Sequence, residues 1–186
     1  MKKLVLSAVA LFIFMAQSAA HAQEVKERGS NAITMGANTN SASIGYWYKL
    51  SGDNSLGGDF TFIFRDHNHN DSQTYQLSPG IKHYFLPEKA VSPYLYGAVI
   101  GKYGNNKSDQ AGPTTRTETY TAGVQGGIGL EWFPTQSLSI AGHAGAIAQY
   151  ERTHSTNTSG PFSSSSNDEG FVIGTISSGI LLNLYF

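Results

Sequence analysis

From residue 30 onward, apolar and polar residues alternate in short runs separated by clusters of Gly, Ser, Asn, Asp and Pro. No stretch keeps an apolar stripe at the helical period of about 3.6. Alternation at period two, bounded by turn residues, predicts strands. They fall near 30–38, 41–50, 55–65, 73–86, 92–104, 115–133, 137–152 and 168–186.

The two faces of these strands differ sharply. In the third, Phe60, Phe62 and Phe64 oppose Asp59, Thr61, Ile63 and Arg65. In the fourth, Tyr75, Leu77, Ile81, His83 and Phe85 oppose Gln76, Ser78, Gly80, Lys82 and Tyr84. The sixth sets Tyr120, Val124, Ile128, Leu130 and Trp132 against Thr121, Gln125, Gly127, Gly129 and Glu131. The last sets Val172, Ile176, Ile180, Leu182, Leu184 and Phe186 against Thr175, Ser177, Gly179 and Asn183.

The connections alternate in length. Short turns at 51–54, 87–91 and 134–136 fall on one end, and the polar loops 66–72, 105–114 and 153–167 on the other, where the first connection, 38–40, is the one short member. Transmembrane barrels have this asymmetry, with short periplasmic turns and longer external loops. Aromatics on the apolar face gather at two heights, with Tyr75, Tyr103, Tyr120 and Tyr150 toward the long loops and Tyr48, Phe85, Trp132 and Phe186 toward the short turns. Ten steps from Tyr75 to Phe85, at ~3.3 Å per residue and a tilt of ~40°, rise roughly 25 Å, the height of a lipid-facing band. The prediction is an all-β fold, an eight-stranded antiparallel up-and-down transmembrane β-barrel with its apolar face outward.

Residues 1–22 are set apart from it. Lys2 and Lys3, an apolar run from Leu4 to Ala16 and the small-residue site Ala20-His21-Ala22 form a secretory signal, with cleavage expected after Ala22. The run is too short for a spanning helix. One barrel domain, 23–186, remains. Losing two lysines shifts the formal charge from −1 to −3, which gives nucleic acid no basic surface. The chain has no cysteine, so this exported domain must draw its stability from strand pairing and its solvent.

Lys49, Asp59, Arg65, Lys82, Lys102, Glu131, His143 and Glu151 fall on the inward face. Charges in a confined lumen persist when paired and hydrogen-bonded, so they read as a polar plug. If the third and fourth strands pair 65 with 76, Asp59 and Lys82 form a salt bridge. An ion pathway is the alternative, but eight strands leave an interior that side chains fill.

Other clusters carry less. The segment 66–71 holds His67, His69, Asp66 and Asp71, ligand types suited to zinc or copper, in a composition equally typical of solvated turns. A lipid A deacylase would need a Ser, a His and an acid at the outer leaflet. His83 lies near the wrong end, His143 points into the lumen, and His154-Ser155 with Glu151 lacks the expected spacing. The sequence assigns no catalytic, cofactor-binding or metal residue. The segments 105–114 and 153–167, rich in Ser, Thr, Asn and Gly, predict mobile loops, the usual seat of binding on a rigid scaffold.

The chain ends on Phe186 with apolar residues at alternate positions back to Ile180, which resembles the C-terminal signal presented to the outer-membrane assembly machinery. With the Pro79–Phe85 strand, the Pro87 turn, the Ser92-Pro93-Tyr94 restart and the strand end Glu131-Trp132-Phe133, the mature chain resembles the small outer-membrane barrels of the OmpA-barrel and OmpX type. The resemblance implies a bacterial outer-membrane location among lipids and lipopolysaccharide, and a structural or surface-interaction role in adhesion or envelope integrity. A barrel that closes on itself is expected as a monomer. The rival expectations are a lipid A-modifying enzyme, a narrow channel and a soluble periplasmic barrel that holds a ligand.

Overall fold

The computed structural model describes residues 29–38, 41–67, 70–109, 113–177 and 179–186; for 37, 38, 65–67, 70, 109 and 177 it describes the backbone alone. The strands are β1 (Asn31–Asn38), β2 (Ser41–Lys49), β3 (Asn54–His67), β4 (Asn70–Tyr84), β5 (Val91–Asp109), β6 (Pro113–Trp132), β7 (Leu138–Ser159), β8 (Phe162–Ser177) and β9 (Ile180–Tyr185). Each pairs antiparallel with its sequence neighbour from β1 to β8, and β9 lies between β1 and β7. The sheet closes into a ring, sealed between β1 and the residue after β9 by Phe186 N–H to Asn31 O at 2.9 Å and Asn31 N–H to Phe186 O at 3.2 Å.

Nine segments fill eight positions, because β8 and β9 are one strand interrupted by a bulge. Ala144 of β7 pairs with Ser177 and Ala141 with Leu181, so between these pairs β7 has two residues where the other strand has three. Gly179 sits at φ 70°, the left-handed region that such a bulge requires and that side chains resist. One inserted residue exchanges the faces of everything upstream. Ile180, Leu182, Leu184 and Phe186 point outward as expected, but Val172 and Ile176 do not. Val172 pairs with Gln149 and Ile176 with Gly145 on the inward row, and Phe171, Ile173 and Thr175 take the outward positions.

The predicted faces of β3, β4 and β6 hold: Phe60, Phe62, Phe64, Leu77, Ile81, Val124 and Ile128 are exposed on the outer wall. Registered pairs run round the ring from Ala37 through Ala42, Phe62, Tyr75, Tyr103, Tyr120 and Arg152 to Glu169. Ala37 itself pairs with Ile180, eleven residues further on; discounting the bulge residue, the stagger is ten. Eight strands with that stagger tilt by about 40°. A row of registered residues therefore climbs about 3 Å at each strand, given a spacing of ~4.8 Å.

Two predicted loops are strands. The ladder of β5 and β6 continues to Asp109↔Thr114, and that of β7 and β8 to Ser159↔Phe162. Gly160, at φ 59°, then opens a two-residue turn completed by Pro161, the form in which glycine leads and a residue of negative φ follows. Their Ser, Thr and Asn side chains do not leave the backbone as loop, because β5 to β7 are paired on both sides and β8 is paired along β7. Above Tyr120 and Tyr150, β5 to β8 thus rise as a sheet roughly 20 Å tall, given the rise and tilt of the strands.

Candidate functional site

The lumen is built from the inward rows, and its floor lies at the short-turn end. Glu131, 0% exposed, is held by strands from around the ring. Its Oε1 accepts from Asn183 Nδ2 at 2.8 Å, from the Tyr185 hydroxyl at 2.7 Å and from the Ser139 hydroxyl; its Oε2 accepts from the Tyr84 hydroxyl at 2.7 Å. Asn183 also donates to Ser139 Oγ at 2.8 Å and accepts from Thr34 Oγ1 at 2.6 Å. Strands β1, β4, β6, β7 and β9 are so tied together through one carboxylate. Four donors on its two oxygens offset the cost of burying the carboxylate.

Lys82, 3% exposed, stands above this floor. Its Nζ lies 4.1 Å from the centroid of a Trp47 ring and 5.6 Å from that of Tyr94. The Asp59–Lys82 salt bridge expected from sequence does not form. The actual register pairs Arg65 with Ser72, which sets Asp59 opposite Ser78 and Lys82 opposite Ser55. The paired ladder runs to His67↔Asn70, further than the predicted loop allowed, and this shifts the two charges apart along the hairpin. Asp59 instead accepts from Trp47 Nε1 at 3.3 Å, so the indole bridges acid and base through its edge and its face.

Above the floor is a cavity of about 260 Å³. One wall is polar, with Ser43, Thr61, Gln76 and Asp59; the other is apolar, with Ile147, Ile176 and Leu181. His143 stacks on Tyr96 at 4.0 Å with its Nδ1 3.3 Å from the Tyr94 hydroxyl. The Tyr96 hydroxyl is buried with no hydrogen-bond partner beside this cavity, although the residue is 8% exposed.

The projecting sheet is a second region. Its inner face carries Thr117 against Ser155 at 3.2 Å and Thr119 against Thr153 at 3.4 Å. Its outer face carries ion pairs Arg116–Glu118 at 2.9 Å and Arg152–Glu169 at 3.5 Å, with His154 Nδ1 2.7 Å from Asn167 Oδ1. A shallow groove of about 430 Å³ runs between Lys107, Arg116, His154 and Thr156. His154 faces out and Ser155 faces in, so the two do not converge. His83 is on the outer wall with Nδ1 3.0 Å from Asn54 Oδ1, far along the sheet from both.

Of the predicted inward charges, Lys49, Asp59, Lys82, Lys102, Glu131, His143 and Glu151 lie on inward rows, while the Arg65 side chain is outside the described residues. The side chains of Asp66, His67 and His69 also lie outside them, whereas that of Asp71 is described. Among the described residues, no three His, Cys, Asp or Glu side chains gather to hold an ion. Sequence reasoning missed Tyr84, Ser139, Asn183 and Tyr185 as partners of Glu131, and Thr34 as the partner of Asn183. Each is a polar residue at an inward position near a short turn, a signal that becomes specific once the register is known.

No protein-family model matches the chain, and no curated protein matches it significantly. Among solved structures it is similar to Neisserial surface protein A (NspA), at 17% identity and a TM-score of 0.44 over 84% of this chain and 93% of that one. It is similar also to the N-terminal β-barrel domain of Pseudomonas aeruginosa OprF, at 12% identity and a TM-score of 0.44 over 87% of this chain and 100% of that one.

Proposed function

We propose that this chain is an integral barrel of a bacterial outer membrane, without enzymatic activity, that presents the tall β5–β8 sheet at the cell surface in a structural or surface-interaction role. The observation that carries the reading is the inversion of the wall. Aromatic and aliphatic side chains stand outward on every strand of the ring, and the buried charge is inside. In water so many exposed apolar residues would drive aggregation; in a bilayer they meet their own kind, and the ring satisfies the backbone up to the level at which β1 and β2 end.

The partners follow from the same surfaces. Lipid and lipopolysaccharide surround the wall, the strand ending at Phe186 addresses the assembly machinery, and a host or surface ligand meets the polar outer face of the projecting sheet. The ring closes within one chain, so the barrel is monomeric. Export requires the signal at 1–22, cleaved after Ala22. The floor around Glu131 argues against a conducting pore.

Cell fractionation with and without heating before electrophoresis tests the reading. An outer-membrane band whose mobility shifts on heating is expected. A soluble periplasmic band would overturn it.

A further inference from the structure

The wall of this barrel is not of even height. Hairpin β1–β2 ends at Asn38 and Ser41, and β3 loses its β2 partner above Phe62↔Ala42. On the other side, β1 pairs with β9 up to Ala37↔Ile180, and among the described residues β8 pairs with β7 alone. Four strand steps separate Ala42 from Tyr120 in one registered row, so the hairpin stops about 12 Å below the upper aromatic level. Among the described residues this leaves a gap two strands wide, roughly 14 Å between β8 and β3 at ~4.8 Å per strand spacing. Phe171 at 66% and Ile173 at 74% exposed stand along its edge, less covered than most of the outer wall.

This gap opens on the cavity above the Glu131 floor, which is lined by Ser41 and Ser43 from the short hairpin and by Ile63 and Ile176 from the two sides of the gap. Ile147 and Leu181 continue the apolar wall inward. A lumen that held water alone would have no use for aliphatic residues at its side entrance. Here the bulge at Gly179 specifically turns Val172 and Ile176 from the outer face to the inner one.

We infer that the cavity takes the hydrocarbon chain of an outer-leaflet lipid, admitted sideways between β8 and the tip of β1–β2. The inference rests on the membrane reading proposed above. The chain lies against Ile63, Ile147 and Ile176, its polar head at the level of Phe171. There the unshared edge of β8 offers backbone N–H and C=O groups, which hydrocarbon alone would leave unsatisfied. Sideways entry from lipid and entry from above through water distinguish the sources of such a chain.

The full chain, refolded into phosphatidylcholine vesicles and shown to be heat-modifiable, is irradiated with a phosphatidylcholine bearing a diazirine in one acyl chain. Labelled residues are located by peptide mass spectrometry. Label is expected on the inward Ile63, Ile147 or Ile176 as well as on the outward Phe60, Ile173 and Leu184. In Ile147→Asp, and separately in Ile176→Asn, inward label falls roughly tenfold, the response to about 1.4 kcal/mol of lost affinity, while outward label is unchanged. Label confined to outward residues overturns the inference and leaves the membrane reading standing. Absence of label from the outward band removes the membrane reading itself, and the inference with it. A second arm adds a diazirine-bearing fatty acid from the aqueous side; inward label from it, with none from the lipid, overturns sideways admission.

Discussion

Asn183 Nδ2 donates to Glu131 Oε1 at 2.8 Å, joining the last strand of the chain to the sixth inside the barrel. Glu131 serves as the hub, because Tyr84, Ser139 and Tyr185 donate to the same carboxylate. Replacing Glu131 with Ala removes the shared acceptor of Tyr84, Ser139 and Tyr185 and leaves Asn183 with Ser139 Oγ. The expected cost is about 3–5 kcal/mol, the range for breaking a buried polar centre by removing one partner. Denaturant titration of the refolded barrel in lipid vesicles, followed by the heat-shifted band, measures it. A loss below about 1 kcal/mol would mean that the floor is held by strand pairing alone.

Asn183→Leu is the companion test. It removes both donor bonds, to Glu131 and Ser139, and the acceptor for Thr34, yet leaves Tyr84 and Tyr185 on Glu131. The loss is expected to be smaller, about 1–3 kcal/mol. A double variant with Glu131→Ala should lose less than the sum of the two, since both act on one network.

Trp47 holds the charges of the lumen in place, with Lys82 over its face and Asp59 at its Nε1. Trp47→Phe keeps an aromatic face but removes the donor. We expect a loss of about 1–3 kcal/mol, since Asp59 is left without that hydrogen bond. Trp47→Leu removes the cation–π contact too and should cost about 2 kcal/mol more. Equal losses in the two variants would show that the indole face contributes nothing.

Gly179→Ala forces a side chain into a backbone at φ 70°. Left-handed geometry costs about 1–2 kcal/mol for a residue with a Cβ, and unfolding of the refolded variant should show a loss of that size. An unchanged midpoint would mean that the bulge relaxes to another residue of the turn.

Replacing residues 156–165 with a tight Asn-Gly turn shortens β7 and β8 in step. Because these residues stand above the aromatic level and pair with one another, the variant should still insert and show the heat-dependent band shift. Failure to insert would give the tall hairpin a part in assembly.

The outer wall was legible from sequence because its signal is repeated: Phe60, Phe62 and Phe64 on one strand and Val124, Ile128 and Trp132 on another each repeat the same parity. The parity of β8 was not, because a bulge is a single-residue event. Ile176 and Ile180 look equivalent when counted from Phe186, and only the paired strand reveals the extra residue between them. The height of the projecting sheet was hidden for a different reason. Ser163 to Ser166 have little preference for strands, and their conformation is imposed by the facing residues 155–158 across the hairpin. The plug was half legible: inward charges could be listed by parity, but Lys82 and Asp59 were assigned to each other through a register four residues out, when each has Trp47 as its neighbour.

The seal between Asn31 and Phe186 is the contact of greatest sequence separation among the described residues of the ring. Such a contact closes the largest loop and forms last, since local hairpins along the way cost far less ordering. Until the final residue arrives, every partly folded form of this chain is an open sheet with two raw edges, and open edges recruit other strands. Its route to the finished cylinder therefore passes through a stage with exposed edges, and the same closing step that ends that hazard also makes the product hard to reopen.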